Sequence, residues 1–423
     1  MVITLLIIYM ALDLFDLTLF GLGNVVGAGI FVIISKSIKY GGSNTLYALL
    51  TVASISILMG FVYIEIYSRH TSSVTEYLAV KETMGENAGT IMLYAVYFFA
   101  LLSGVTILTG LSKYICNSNL FSIGDTNKHC IETTFIVATL AIVAGISWFG
   151  IETSKLVANT ISIAMLLILG GIVVLSLPYL NREKIFGLKT SYVPSTNIML
   201  SAVLSLFLYN GYDFLVKISD ETENKEDNKT ALIATLLITT VIYVFIIMAA
   251  VCVLSYGNAS NTHNMISDLY SALTNNQLAT AVFVAGAFIM FNTGFLSTMS
   301  AAKFAQGLGK NKQIFMPEFW SEVNDYGAPK NAIIVTFILG LIFAIFNNDT
   351  LMAVFSNFTG VATLILISVA LLIMRWRERA DKEAQKKHNH IGLNVHNMPI
   401  LVIINTAVLA GILFKMVKHK FWW

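Results

Sequence analysis

Long apolar runs separated by short polar stretches dominate this chain. A helix that crosses a bilayer needs about 20 mostly apolar residues. Runs of that kind fall near Leu14–Ser37, Thr45–Tyr67, Thr90–Ile115, Thr133–Gly150, Lys155–Leu177, Asn197–Ile218, Thr230–Tyr256, Gln277–Ala302, Asn331–Phe346, Leu351–Trp376 and Pro399–Val417. The pattern predicts an all-α polytopic membrane protein with eleven spans, the ninth of them short. Residues 1–12 form an apolar lead-in, too short to span, with neither the basic start nor the small-residue cleavage site of a signal peptide.

Two of these runs are interrupted. In the first, Leu19 to Ile33 reads LFGLGNVVGAGIFVI and holds Gly21, Gly23, Gly27 and Gly29. A Gly inside a helix costs roughly 1 kcal/mol against Ala. Such a density predicts a helix that is broken, or closely approached, near its middle. Broken helices at membrane depth are tolerated where the freed backbone lines a protein cavity. The start of the second half-helix then offers N–H groups and a positive dipole end to an anion, in transporters often a substrate carboxylate. The spacing Gly21-x-Gly23-x-x-x-Gly27 also looks like a dinucleotide-binding turn. That turn needs a strand before it and a soluble helix after it, and the membrane-apolar flanks argue against it. A Gly-rich helix-packing face is the plainer alternative.

The sixth run, SLFLYNGYDFLVKIS, places Asn210, Gly211 and Asp213 in apolar surroundings just ahead of an acidic stretch, Asp220 to Asp227. An ionisable residue within a span is a functional-site candidate. For Asp213 the structural alternative is a pairing with a neighbouring helix, or a position nearer the cytoplasmic end. Interruptions in the first and sixth spans suggest two five-helix repeats. Five is odd, so the second repeat enters the membrane from the opposite side, giving an inverted repeat with its site at the pseudo-symmetric centre. Residues 13–423 are then one transporter domain, with repeats over about 13–178 and 197–376 and an extra span over about 399–417.

Composition agrees with a bilayer environment. Of 423 residues, 56% are hydrophobic and 12% charged, with mean hydropathy +0.75, whereas a soluble domain is about 25% charged. The net charge of +2 gives no reason to expect a nucleic-acid partner. With the N-terminus in the cytoplasm, most Lys and Arg fall on the inner side, Lys217, Lys225, Lys303, Lys310, Arg375 and Lys387 among them, as the positive-inside tendency requires. Lys415, Lys418 and Lys420 run against it.

The eighth span carries Asn292, Thr293, Ser297, Thr298 and Ser300. Hydroxyls in such a position bond their own i−4 carbonyl or pack between helices more often than they ligate a cation. Cys116 and Cys130 share the predicted external loop between spans three and four. An internal disulfide, a bridge to an accessory subunit and free thiols all remain open. His388, His390 and His396 sit in a Lys-rich loop and read as a solvated face rather than a metal site. No nucleophile–base pair, phosphate loop or pair of catalytic acids stands out, so neither an enzyme nor a cofactor is expected.

Several short motifs, in order, carry a likeness to a known family: Gly27-Ala28-Gly29-Ile30-Phe31 in span one, Tyr63-Ile64-Glu65 at the end of span two, Met84-Gly85-Glu86 before span three, Phe207 to Asp213 in span six followed by Glu221, and Gly309 to Pro317 with Asn324 to Pro329 after span eight. From about Leu12 to Trp376 the chain resembles the amino acid–polyamine–organocation superfamily of permeases. The resemblance implies the LeuT-like five-plus-five inverted-repeat fold, worked by alternating access. It implies that the substrate carboxylate meets backbone N–H groups at Gly27, Ala28 and Gly29, and that the substrate ammonium meets carbonyls near Val25, Phe207 and Asn210. Val26, Leu208 and Gly211 complete the implied substrate-binding set. Phe207 matches the aromatic that closes over substrate in relatives, and Phe207, Asp213, Ser297 and Thr298 are the gating or coupling candidates.

The chain departs from the family pattern in places. His70-Thr71-Ser72-Ser73 stands where relatives have Pro, Asn224 to Asn228 replaces the prolines after span six, and Ile163-Ala164-Met165 holds no Lys of the kind some proton-coupled relatives place in span five. The expected function is a secondary amino acid permease or exchanger of neutral or broad specificity. Small residues at Ala28 and Gly211 are expected to leave room for a sizeable side chain. The alternatives are a non-transporting amino-acid sensor, the light subunit of a heteromeric exchanger, for which Cys116 or Cys130 would supply the bridge, and a cationic amino acid or polyamine transporter assisted by Asp213.

Overall fold

Apolar chain with no water around it must close its backbone hydrogen bonds internally, and this chain does so as helix. The computed structural model describes residues 12–116, 128–186, 195–262, 265–275, 278–345, 349–388, 391, 393–395 and 397–418. The first run is split into α1 (Leu14–Val25) and α2 (Gly27–Gly41). Then come α3 (Thr45–Arg69), the short α4 (Thr75–Met84), α5 (Glu86–Cys116), α6 (Lys128–Trp148), α7 (Gly150–Ser176) and α8 (Arg182–Phe186). The sixth run is split into α9 (Ser195–Leu208) and α10 (Phe214–Lys217). Beyond it lie α11 (Lys225–Ala249), α12 (Ser255–Asn261), α13 (Met265–Thr274), α14 (Ala279–Lys310) and α15 (Pro317–Ser321). The chain finishes with α16 (Lys330–Ile345), α17 (Asp349–Arg377), α18 (Lys382–His388), a hairpin of β1 (Asn394–Val395) and β2 (Met398–Pro399), and α19 (Ile400–Lys418).

Among the described residues, seven helical stretches are long and apolar enough to cross a membrane, and Leu14–Val25, Ile198–Leu208, Lys330–Ile345 and Ile400–Phe414 are apolar but shorter. Each expected apolar run therefore contains apolar helix. The long α5 and α14 pack on each other, α17 covers α5, α7 covers α14, and α2 lies against α9.

The two interruptions differ in kind. Val26 alone separates α1 from α2, and its φ of −75° and ψ of −18° remain right-handed helical. The first run is thus kinked at one residue rather than unwound. The glycines that foretold this break mostly serve close packing: a Cβ on Gly21 would strike Thr235, one on Gly23 would strike Ser162 and Asn292, and one on Gly27 would strike Thr293. The sixth run opens over Tyr209–Asp213, where Gly211 takes φ +111°, a conformation open to Gly because it has no Cβ.

Polar contacts tie the ends of the helices. Asp13 caps α1 by accepting from the Asp16 N–H at 2.8 Å. Asp16 in turn pairs with Lys155 and accepts from Asn159 Nδ2 at 2.7 Å, both on α7. Ahead of α1, the Leu12 N–H donates to the Glu221 carbonyl at 3.0 Å, and the Glu223 N–H donates to the Leu12 carbonyl at 3.2 Å. At the end of α3, Glu65 is fully buried and takes both arms of the Arg375 guanidinium from α17. Arg375 also donates to the Ile391 carbonyl and to Asn394 Oδ1, which holds the hairpin against the bundle. Arg69 bridges Glu65 and Glu378.

Candidate functional site

Where α2 lies against α9, the two interruptions line a partly open cavity. Of the residues expected at the site, the cavity brings together Val25, Gly29, Phe207, Asn210, Gly211, Asp213 and Ser297. It leaves others out. Val26 and Leu208 are buried away from it, and the space over Gly27 is taken by Thr293. The Ala28 side chain lies outside the described residues. Thr298 donates its hydroxyl to the Gly294 and Phe295 carbonyls of its own helix and faces a separate cavity beside Met299 and Ile333. For Thr298, back-bonding to the helix is therefore the observed role, as is usual for a hydroxyl inside a span.

Residues outside the expected binding set complete the lining, Thr293 and Ser300 of them already noted among the polar residues of the eighth span. Phe99, Ala100, Ser103 and Ile107 come from α5, and Ser300 and Thr293 from α14. Asn24 joins the two interruptions directly. Its Nδ2 donates to the Gly211 carbonyl at 2.8 Å, and its Oδ1 accepts from Ser297 Oγ at 3.1 Å. The room expected beside Gly211 is already filled, since a Cβ there would stand 2.8 Å from Asn24 Nδ2.

Carbonyls freed at the two breaks are partly used. The Tyr243 hydroxyl from α11 lies 3.0 Å from the Val25 carbonyl and 2.9 Å from the Leu208 carbonyl. Thr293 donates to the Gly23 carbonyl at 3.0 Å. A carbonyl oxygen has two lone pairs, so one bond apiece leaves acceptor capacity facing the site. At the other pole, no side chain caps the first turn of α2, and the opening N–H groups of a helix have no partner within the helix itself.

Asp213 at the cavity edge bonds Lys217 one turn further on. The positive-inside reading placed Lys217 on the cytoplasmic side. Its side chain is 0% exposed, and it also lies 3.9 Å from Glu76 Oε1. The i,i+4 spacing of Asp213 and Lys217 was the available signal for this pairing. Glu76 is on α4, between the second and third apolar runs, and burial pushes its carboxyl up from 4.5 to about 7, with Lys217 pulling the other way. Cys116 is buried at the end of α5, while the Cys130 side chain lies outside the described residues.

Comparison with known proteins agrees with this architecture. The family model for amino acid permeases matches residues 12–418. The methylthioribose transporter of Bacillus subtilis is 24% identical over 429 residues, covering 96% of this chain and 88% of that protein. The serine/threonine exchanger SteT of the same organism is 24% identical, covering 95% of this chain and 89% of its own length. The branched-chain amino acid permease BcaP, also of Bacillus subtilis, is 22% identical over 87% of this chain and 81% of that protein. With a matched region running almost from end to end and apolar helices throughout it, this multi-pass integral membrane protein belongs to the amino acid permease family.

Proposed function

We propose that the protein is a secondary amino acid transporter working by alternating access, with its substrate held in the cavity between the two interrupted runs. The observation that carries this reading is the convergence of Val25, Gly29, Phe207, Asn210 and Gly211 on one cavity. The substrate carboxylate approaches the uncapped first turn of α2, over Gly27 to Gly29, where backbone N–H groups and the helix dipole favour an anion. The ammonium approaches the spare lone pairs around Val25, Phe207 and Asn210, and Phe207 closes over it.

The side chain preferred is neutral. Asp213 is the carboxylate lining the cavity, and Lys217 offsets its charge. A cationic side chain would have to displace that ammonium, whereas a neutral one finds Ser103, Ser297, Phe99 and Ile107. The serine/threonine exchanger and the branched-chain permease are named for substrates of this kind.

Helix packing supports a five-plus-five repeat. If spans one to five are matched with six to ten, most neighbour pairs exchange into observed pairs. The packing of α5 on α17 becomes that of α14 on α7, α1 on α11 becomes α9 on α3, α5 on α6 becomes α14 on α16, and α7 on α11 becomes α17 on α3. One exchange fails. α1 packs on α7 and on α14, while α9 has no comparable packing on α17 or α5 among the described residues. With the N-terminus in the cytoplasm, that asymmetry makes the inner side closed and the outer side open.

The test is thermal unfolding of the purified protein with L-serine, L-leucine, L-arginine and putrescine. A ligand that binds the native state raises its apparent stability by an amount set by concentration over Kd. A shift with a neutral amino acid, lost in Gly29→Leu, is expected. A shift with putrescine or arginine alone overturns the neutral assignment, and no shift with any of them overturns the binding site.

A further inference from the structure

Beside the cavity lies a charged cluster that amino acid binding alone leaves unused. Lys217 is buried between two carboxylates, Asp213, to which it donates, and Glu76, 3.9 Å away. Both Glu76 oxygens are buried and without a hydrogen-bond partner. With all three groups ionised the cluster carries one unmatched negative charge. A buried, unmatched carboxylate is expensive and is relieved by taking up a proton.

Among the described residues, no surrounding charge supplies the missing cation. Tyr63 of α3 and Tyr212 pack edge to face at 5.6 Å, and the Phe304 ring of α14 lies 5.9 Å from Lys217 Nζ. Neighbouring charges are engaged elsewhere: Lys303 with Glu221, Lys310 with Asp220, Lys81 with Glu86, His70 with Glu82, and Arg375 and Arg69 with Glu65 and Glu378. Arg377 of α17 donates to the Glu82 and Thr83 carbonyls at the far end of α4.

We propose that Glu76 is a proton-binding site linked to the amino acid cavity through Lys217, so that amino acid binding expels a proton and the protein exchanges the two. The linkage rests on the amino acid reading above. In the empty state Glu76 is protonated and Lys217 stays with Asp213. The substrate ammonium, seated at the carbonyls around Val25, Phe207 and Asn210, draws the Asp213 carboxylate toward the cavity. Lys217 then turns to Glu76, the Glu76 O–H bond breaks, and the proton leaves to water. Charge balances, since the cluster loses one proton and keeps its single ammonium. Linkage is reciprocal, so a proton on Glu76 weakens amino acid binding.

The proton site is tested without ligand, by infrared difference spectroscopy of the full protein in nanodiscs across pH. A protonated carboxyl band that titrates near neutrality in the wild type and is missing in Glu76→Gln is expected. Asp213→Asn, which frees Lys217 as the substrate would, should move that midpoint down toward the ordinary glutamate value of about 4.3. Absence of the band, or a midpoint that Asp213→Asn leaves in place, overturns the proposal. The linkage is tested by proton release on adding L-serine, L-leucine or L-arginine in weak buffer. Whichever of these stabilises the protein should release close to one proton per molecule bound in the wild type and none in Glu76→Gln. Equal release in both overturns the linkage. If none of the three stabilises the protein, the amino acid reading and the linkage fail together, while the ligand-free titration still decides the proton site.

Discussion

Lys217 shows what a single residue conceals in one dimension. By composition it is one more positive charge near a cytoplasmic end, and a charge count treats it like Lys225. In three dimensions it is fully enclosed between Asp213 and Glu76. Asn210, Gly211 and Asp213 were legible because polar residues stand out in an apolar run. Phe99, Ala100, Ser103 and Ile107 were not, because each looks like its neighbours on α5 and only packing against α14 selects that face. Glu76 carries a prediction at this scale. Burial holds its carboxyl at about 7 against 4.5 in free chain, so the folded state binds this proton more tightly than the unfolded one. Its contribution to stability is therefore present below that window and is lost as pH rises from about 4.5 to about 7. Glu76→Gln should flatten this part of the stability profile, read as thermal midpoints in nanodiscs. A slope that survives the substitution would assign it to other groups.

At the level of helices, the glycine density of the first run correctly foretold its interruption but not its form. Gly21, Gly23 and Gly27 are required by side chains pressing on the helix from Thr235, Ser162, Asn292 and Thr293, and the chain resumes helix after Val26 alone. Gly29 is the glycine of this set that lines the cavity. Sequence distinguishes these roles poorly, since a packing glycine and a ligand-facing glycine leave the same letter. The difference is testable. Gly27→Ala puts a methyl group where Thr293 sits, and overpacking of this kind costs about 1–3 kcal/mol. Thr293→Ala added to it should recover part of the loss in thermal unfolding. A fully stable Gly27→Ala would mean that α2 and α14 can separate at no cost. The sixth run was read more accurately because Asn210-Gly211 with Asp213 combines a turn former, a φ-permissive residue and a charge, and the break there spans Tyr209–Asp213.

Over the whole molecule, hydropathy located the apolar helices. Apolarity does not encode side contacts such as α1 on α7, where Asp16 meets Lys155 and Asn159. Cys130, one of the two thiols for which an internal bridge, a partner bridge and a free state were all open, has its side chain outside the described residues. The central claim is that a substrate held between the two interruptions crosses the membrane. Uptake of radiolabelled amino acids into proteoliposomes preloaded with the same unlabelled amino acid tests it most directly. The account predicts saturable accumulation of at least one neutral amino acid above protein-free vesicles, abolished by Gly29→Leu. Amino acids that stabilise the protein yet never accumulate in sealed vesicles would contradict transport and leave a binding protein that senses its ligand.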